Sequence, residues 1–288
     1  MQRRETTPPM SSRGTCVRFL PRVEGGIPRG LADQLGELAE SRSLVWQLYR
    51  YRLKERYHGS GLGLLWTLVN PLLMMAGLAL IFPLLIRVNM ADYILYLFAG
   101  ITTWGLISGA VAGGGESILS NVGLIRRVYV PRQVFPLVTV LIEITNLVVA
   151  LIALHLIGIL FGLHIATDLP YLLAAIVVTG VFAIGVAYVF SILVVYFRDL
   201  KHIMGVGLQA VFYITPIIYP VAMLPENARA IMEWNPLFQF VRLFQLAIHS
   251  PAAADWSYFP IPLLIAAAVL LLGMVMQWRF GRVLIYRL

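Results

Sequence analysis

The feature that most constrains the fold is a set of long segments that contain no charged side chain. Such runs extend over residues 59–86, 93–115, 169–197, 202–225 and 256–278. A further run, 134–167, is interrupted only by Glu143. A helix crosses a bilayer with about 20 mostly apolar residues, so each run is long enough for one crossing. The pattern predicts an all-helical membrane protein.

Composition supports the same class of protein. Hydrophobic residues make up 59% of the 288 residues and charged residues only 12%, against about 25% charged in a soluble domain. The mean hydropathy is +0.82. In so apolar a chain, the net charge of +8 indicates loops that face anionic lipid rather than nucleic acid. Cys16 is the only cysteine, which excludes an intrachain disulfide.

Six spans are predicted, at residues 64–86, 93–115, 135–162, 170–196, 203–221 and 259–279. Pro216, Pro220 and Pro225 break the fifth run early. All but three of the 22 Lys and Arg residues lie in the N-terminal segment, in the loops after spans two and four, or in the C-terminal tail. The positive-inside rule therefore predicts that both termini are cytoplasmic.

The chain divides into three predicted regions. Residues 1–30, rich in Pro, Arg, Ser and Gly, are expected to form a disordered cytoplasmic tail. Residues 31–58 are expected to form an amphipathic helix on the cytoplasmic membrane surface, because apolar residues recur there on one helical face. Those residues are Leu31, Leu35, Leu38, Val45, Tyr49 and Leu53. Residues 59–288 hold the six spans.

No motif of catalysis or cofactor binding is found in the sequence. It has no phosphate-binding loop, no Cys/His cluster with metal-ligand spacing and no nucleophile elbow. We therefore predict a chain that is not an enzyme and that holds no metal or cofactor. A membrane-embedded enzyme of polyprenyl lipids would require clustered acids or histidines, which are absent from the sequence. The glycine run at 109–117 instead predicts close helix packing or a helix exit.

Glu143, with Asn146 about one turn later, is the one acid inside a predicted span. An ion-coupled carrier is expected to have several such acids. Two interpretations of Glu143 remain open at this point, a proton relay and an interhelical hydrogen bond.

Four segments with recurrent polar residues carry a family resemblance. They are YHGSGLGLLWTLVNPLL (57–73), SILSNVGLIRRVYVPRQVFP (117–136), YFRDLKHI (196–203) and the proline-cut stretch 215–248. The last is apolar but too short between its prolines to span, which predicts short re-entrant or interfacial helices between spans five and six. Together, over about residues 40–285, these segments resemble the ABC-2 type permeases that export O-antigen and related cell-envelope polysaccharides.

The resemblance implies a channel-forming subunit of an ATP-driven exporter in the bacterial cytoplasmic membrane. It implies a second copy of the chain, two copies of a separate cytoplasmic ATPase that holds ATP and Mg²⁺, and a substrate that is a polysaccharide on a polyprenyl-diphosphate lipid. A teichoic-acid or capsule exporter is the alternative within the family. The segment after span two would be the coupling helix, with contacts to the ATPase from Asn121, Leu124, Ile125, Arg126 and Arg127.

Two further groups of residues are candidates for contact with the substrate. The resemblance implies that the surface helix is part of the cytoplasmic gate. Its basic residues would attract the diphosphate of the lipid carrier. The alternative is that they only anchor the helix to anionic lipid. They are Arg50, Arg52, Lys54 and Arg56. The candidates for lining a channel beside the first and fifth spans are Trp66, Asn70, Phe212 and Tyr213; an interfacial aromatic belt is the alternative for the aromatic ones.

Overall fold

The computed structural model describes residues 31–57, 66–86, 88–127, 129–160, 165 and 167–281. The predicted tail, residues 1–30, lies outside them. Within these ranges the chain is helical and contains no β-strand. The helices are α1 (Leu31–Glu40), α2 (Arg42–Tyr57), α3 (Trp66–Ile86), α4 (Met90–Glu116), α5 (Val122–Ile125), α6 (Val134–Leu160), α7 (Leu169–Tyr196), α8 (Leu200–Ile214), α9 (Glu226–Glu233), α10 (Pro236–Ile248) and α11 (Pro260–Gly281).

Five of the described helices are long and apolar enough to cross a membrane, namely α3, α4, α6, α7 and α11. They coincide with predicted spans one, two, three, four and six to within a few residues at each described end. The prediction of a multi-span helical protein is therefore confirmed for these five segments. Their agreement follows from length and apolar composition, which are the features that a bilayer selects.

The helix in the fifth predicted span, α8, is shorter than predicted. It ends at Ile214, whereas the predicted span runs to residue 221. The cause is Pro216, because a proline disfavours helical backbone in the residue before it; Thr215 has extended φ and ψ of −76° and 134°. At 1.5 Å per residue α8 is about 22 Å long, less than the hydrocarbon core of about 30 Å.

The amphipathic segment is helical from Leu31 to Tyr57, with a turn at Ser41 that divides it into α1 and α2. Part of its apolar face packs on α6: Leu38, Val45 and Tyr49 lie against a buried cluster at the N-terminal end of that helix. Helices α1 and α2 therefore pack on other parts of the protein along this face. That they lie on the membrane surface stays a prediction.

The centre of the bundle is α7, which packs on α4, α6, α8, α10 and α11. Small residues allow the closest approaches. A Cβ placed on Gly114 of α4 would lie 2.5 Å from the Cβ of Ala187, and one on Gly185 of α7 would lie 2.6 Å from the backbone nitrogen of Leu270. Neither position has room for a side chain, so the close packing predicted for the glycine run 109–117 is confirmed at Gly114.

Short helices connect α8 to α11, as the prolines of that stretch predict. A 3₁₀ turn, Val221–Met223, precedes α9. Helix α10 begins a few residues after the end of α9. Helix α10 begins at Pro236, where the side chain of Asn235 accepts hydrogen bonds from the backbone N–H groups of Leu237 and Phe238. Most of α10 is buried against α4 and α7, although it is too short to span.

Candidate functional site

The cations of α2 point to two different sides of the helix. Arg52 donates a hydrogen bond of 2.6 Å from Nη2 to Oδ1 of Asn121. Arg56 places Nη1 3.3 Å from Oε1 of Glu143. Residues four apart share one face of a helix, so Arg52 and Arg56 face the bundle together. Arg50 and Lys54 form the matching pair on another face, and both are exposed.

Glu143 is held from three directions. Besides Arg56, Asn146 donates a hydrogen bond of 2.8 Å from Nδ2 to Oε2. On the side of α4, a Cβ on Gly109 would lie 2.8 Å from Cδ of Glu143, so the absence of a side chain at Gly109 makes room for the carboxylate. A carboxylate that accepts from a guanidinium and an amide joins helices, which supports the hydrogen-bonding interpretation of this residue over the proton relay.

A cavity of about 340 Å³ lies between α2 and α6. It is lined by Arg52, Glu55, Arg56, Thr139, Ile142 and Glu143. Burial lowers the pKa of the Arg52 guanidinium from its ordinary value, and the negative charge of Glu55 opposes that shift. Beside the cavity, the hydroxyls of Tyr49 and Thr145 are 2.8 Å apart and add a second polar contact between α2 and α6. The cavity holds two arginines and two glutamates, so its lining is close to neutral.

The predicted ATPase-binding residues divide into two groups. They belong to the 118–127 segment, a 3₁₀ turn followed by the one-turn helix α5. Leu124, Arg126 and Arg127 are exposed. Asn121 instead accepts from Arg52, and Ile125 packs against the α2–α6 cluster. The inner side of the segment contacts this chain, and the outer side is presented to the surroundings.

An ion pair connects α4 and α8 at the same end of the bundle. Nζ of Lys201 is 2.9 Å from Oε1 of Glu116, the last residue of α4. Arg198 and Asp199, which precede α8, are exposed there. We call this end, with α2, the 118–127 segment and the N-terminal parts of α6 and α8, the charged end.

The opposite end is organised by tyrosines of α4. The hydroxyl of Tyr93 donates to the carbonyl of Ile218 at 2.8 Å, and that of Tyr96 donates to the carbonyls of Pro216 and Tyr219, each at 3.0 Å. These bonds hold the irregular chain after α8, whose carbonyls have no helical partner. We call this end, formed by the first turns of α4 and by residues 215–219, the tyrosine end.

Sequence reasoning missed this role for Tyr93 and Tyr96. The available signal was the run of prolines from Pro216 onward. Prolines remove amide donors and interrupt the helix, so carbonyls nearby require donors from elsewhere. Tyrosine hydroxyls and the side chain of Gln245, which donates to the Pro216 carbonyl at 3.3 Å, are those donors.

The predicted channel-lining residues differ in their burial. Asn70 and Tyr213 are exposed. Phe212 is buried in the core against Trp104, with ring centroids 5.7 Å apart. Trp66 begins α3, and its side chain lies outside the described residues. A lining role for these four residues stays a prediction, and for Phe212 it would require a change in packing.

These features are those of a multi-pass helical membrane protein in which short helical segments form the charged end. Among the described residues, no group of three or more His, Cys, Asp or Glu side chains is arranged to hold a metal ion. The model of the ABC-2 type transporter family matches residues 43–249. The chain belongs to that family, whose members are transport subunits.

Individual relatives agree with this assignment. The O-antigen export system permease protein of Myxococcus xanthus is 31% identical over 238 residues, which cover 82% of this chain and 91% of that protein. An O-antigen export system permease protein of Klebsiella pneumoniae is 28% identical, over 81% of this chain and 91% of its own length. The polysialic acid transport protein of Escherichia coli is more distant, at 23% identity over 71% of this chain and 80% of its length.

Proposed function

We propose that this chain is the channel-forming subunit of an ATP-driven exporter that moves lipid-linked polysaccharide, such as O-antigen, across the bacterial cytoplasmic membrane. The observation that carries the proposal is the similarity to O-antigen export permeases over about four fifths of the chain. The identity to the polysialic acid transport protein supports a capsule exporter as the second candidate. ATP and Mg²⁺ act in a partner ATPase, and this chain supplies the passage.

The ATPase docks on the outer side of the 118–127 segment. The exposure of Leu124, Arg126 and Arg127 supports this part of the proposal. An apolar side chain flanked by guanidiniums is suited to a pocket with an acidic rim. The charged end is then the cytoplasmic end, which agrees with the positive-inside distribution of Lys and Arg.

A second copy of the chain completes the channel. Helix α3 and helix α8 each leave large apolar side chains exposed, among them Leu80 and Ile81 on α3 and Val206 on α8. In a dimer with two ATPases, α8 and its following segment would make the sixth crossing beside α3. Because α8 alone is too short to span, the crossing requires the irregular chain at 215–219 as well.

The exposed pair on α2 attracts the diphosphate of the lipid carrier. Arg50 and Lys54 are exposed, whereas Arg52 and Arg56 contact acceptors within the chain. The role first assigned to all four cations therefore narrows to these two. Changing both to glutamine should lower export and leave insertion and ATPase binding intact, whereas Arg42→Gln at the start of the same helix should leave export unchanged.

Purification of the tagged chain from its native membrane in mild detergent, followed by mass spectrometry, tests the main proposal. We expect near-equal amounts of a Walker-motif ATPase. Leu124→Glu should lower its recovery at least tenfold, while Ile231→Glu, at a more exposed aliphatic position on α9, should not. A homogeneous chain without ATPase in several detergents would overturn the exporter. Equal recovery with both variants would overturn docking at 118–127.

A further inference from the structure

Two contacts one helical turn apart attach α2 to different parts of the chain. Arg52 binds Asn121 of the 118–127 segment, and Arg56 binds Glu143 of α6. The separation of four residues is about 6 Å along the helix axis. One attachment therefore reaches the segment proposed to carry the ATPase, and the next reaches a membrane-spanning helix.

The attachment at Glu143 lies on a long membrane-spanning helix, α6. Glu143 accepts from Asn146 on its own helix and lies against Gly109 of α4. A movement of α2 that keeps the contact between Arg56 and Glu143 must therefore turn about this point. The attachment at Asn121 lies instead on the short 118–127 segment, which connects the spanning helices α4 and α6 and belongs to neither.

Besides the hydrogen bond, the 118–127 segment and α2 pack on one shared apolar cluster. Ile125 packs on the buried cluster of Phe135 and Val138, and Leu48 and Tyr49 of α2 pack on the same cluster. A shift of the segment therefore acts on α2 directly through the hydrogen bond and indirectly through this cluster. Helix α2 is the element that precedes α3 in the chain, so its tilt is passed toward the first span.

We propose that α2 is a lever in which Arg52 is the positioning residue that links it to the 118–127 segment and the Arg56–Glu143 ion pair is the pivot. Movement of the ATPase against the segment is passed through Arg52 to α2 and onward to α3. The inference rests on the proposed function, in which the ATPase docks on this segment. Neither arginine touches nucleotide; each acts through the position of α2.

Loss of the link should separate ATP hydrolysis from export. In the complex of this chain with its co-purified ATPase, reconstituted in vesicles with the lipid-linked polysaccharide of the native membrane, Arg52→Ala should keep ATP hydrolysis within about twofold. Export per ATP hydrolysed should fall at least fivefold. Arg52→Lys, which keeps one donor, should retain most export. Arg42→Ala, an exposed arginine of the same helix, is the matched control and should change neither quantity.

A reversible crosslink tests the link directly. With Cys16→Ser, which removes the only native thiol, Arg52→Cys and Asn121→Cys should give low export per ATP. A short, reducible bis-methanethiosulfonate should restore it, since the proposal has the two positions move together, and a reducing agent should abolish the rescue. Crosslinked complexes that hydrolyse ATP without recovering export would overturn the proposal.

The pivot is tested by a charge exchange. Arg56→Glu and Glu143→Arg should each lower export per ATP, and the double variant should recover a substantial part of it. Normal export per ATP in Arg52→Ala, or single pivot variants that match the native chain, would overturn the lever while leaving the exporter intact. Absence of any ATPase from the native complex would overturn the proposed function and the lever with it, so the two failures are distinguishable.

Discussion

At the charged end, separate segments are joined by guanidinium, ammonium and carboxylate groups that keep part of their surface exposed. At the tyrosine end, they are joined by hydroxyls and an amide buried against backbone carbonyls. The side chain of Arg56 is 48% exposed in its ion pair, whereas Tyr93 is 2% exposed in its hydrogen bond. Exposed ion pairs contribute little to stability and re-form readily; buried donors are costly to lose. The first end is suited to movement and the second to a fixed position.

Removal of a buried donor at the tyrosine end should give the largest change in stability. Tyr96→Phe leaves the carbonyl of Tyr219 without this donor and removes one of two donors to the carbonyl of Pro216. We expect a loss of about 1–3 kcal/mol in the free energy of unfolding. Thermal unfolding in detergent would measure it as a lower midpoint. Tyr51→Phe, an exposed tyrosine of α2, is the control, and an equal loss there would contradict the comparison.

Displacement of Glu143 at the charged end should change export more than stability. In Gly109→Ala, the new Cβ would lie 2.8 Å from Cγ and Cδ of Glu143 and push that side chain from Arg56. The carboxylate end is flexible, so we expect a loss of stability of about 1 kcal/mol or less and a clear loss of export per ATP.

Gly105→Ala is the matched control for that change. It lies on the same helix and has open space around the new Cβ, so export should be unchanged. Stability should be equal or slightly higher because alanine is the better helix former. If both variants export normally, Glu143 does not need to stay beside Arg56 for transport.

A pH-dependent term is expected at the tyrosine end. His249 follows α10. Its ring is edge-on to the ring of Tyr96, with the two ring centroids 5.7 Å apart. Burial lowers the pKa of His249, and the nearby Asp92 opposes the shift. A lowered pKa means that the unfolded chain binds the proton more readily, so the contribution to stability is present above the unfolded pKa of about 6.5 and decreases as the pH falls below it.

The contribution of His249 is tested by measuring the thermal unfolding midpoint from pH 8 down to about pH 5. His249→Gln should show a smaller decrease between about pH 7 and pH 5 than the native chain, because a glutamine does not titrate in this range. The same slope in both chains would exclude His249 as the origin.

The smallest effect is expected for the ion pair between Lys201 and Glu116. Both side chains are about half exposed, so Lys201→Ala should cost no more than about 1 kcal/mol. The difference should shrink further in high salt, since mobile ions screen exposed charges. Unfolding midpoints of the two chains at low and high ionic strength measure this. A loss as large as that of Tyr96→Phe would contradict the division between the two ends.

The spans could be predicted from the sequence because a bilayer imposes a length and an apolar composition on each of them. The end of α8 was predicted too late, although Pro216 marks it, because an apolar run continues past the proline. Helical spacing places Arg52 and Arg56 on one face of α2. It does not say what that face meets: Asn121 is 69 residues further along the chain and Glu143 is 87 from Arg56. Such contacts depend on the tertiary fold.

Asn121 uses both halves of its amide within the chain. Its Oδ1 accepts from Arg52, and its Nδ2 donates to the carbonyl of Ser117. One short segment thus uses Asn121 for contacts within the chain and leaves other side chains to bind the ATPase. It follows that the exposed positions, such as Leu124 and Arg127, are open to exchange. Replacing those positions alone with the residues of another exporter's permease should let this chain bind that exporter's ATPase. The contacts that join the segment to α2 would be unchanged.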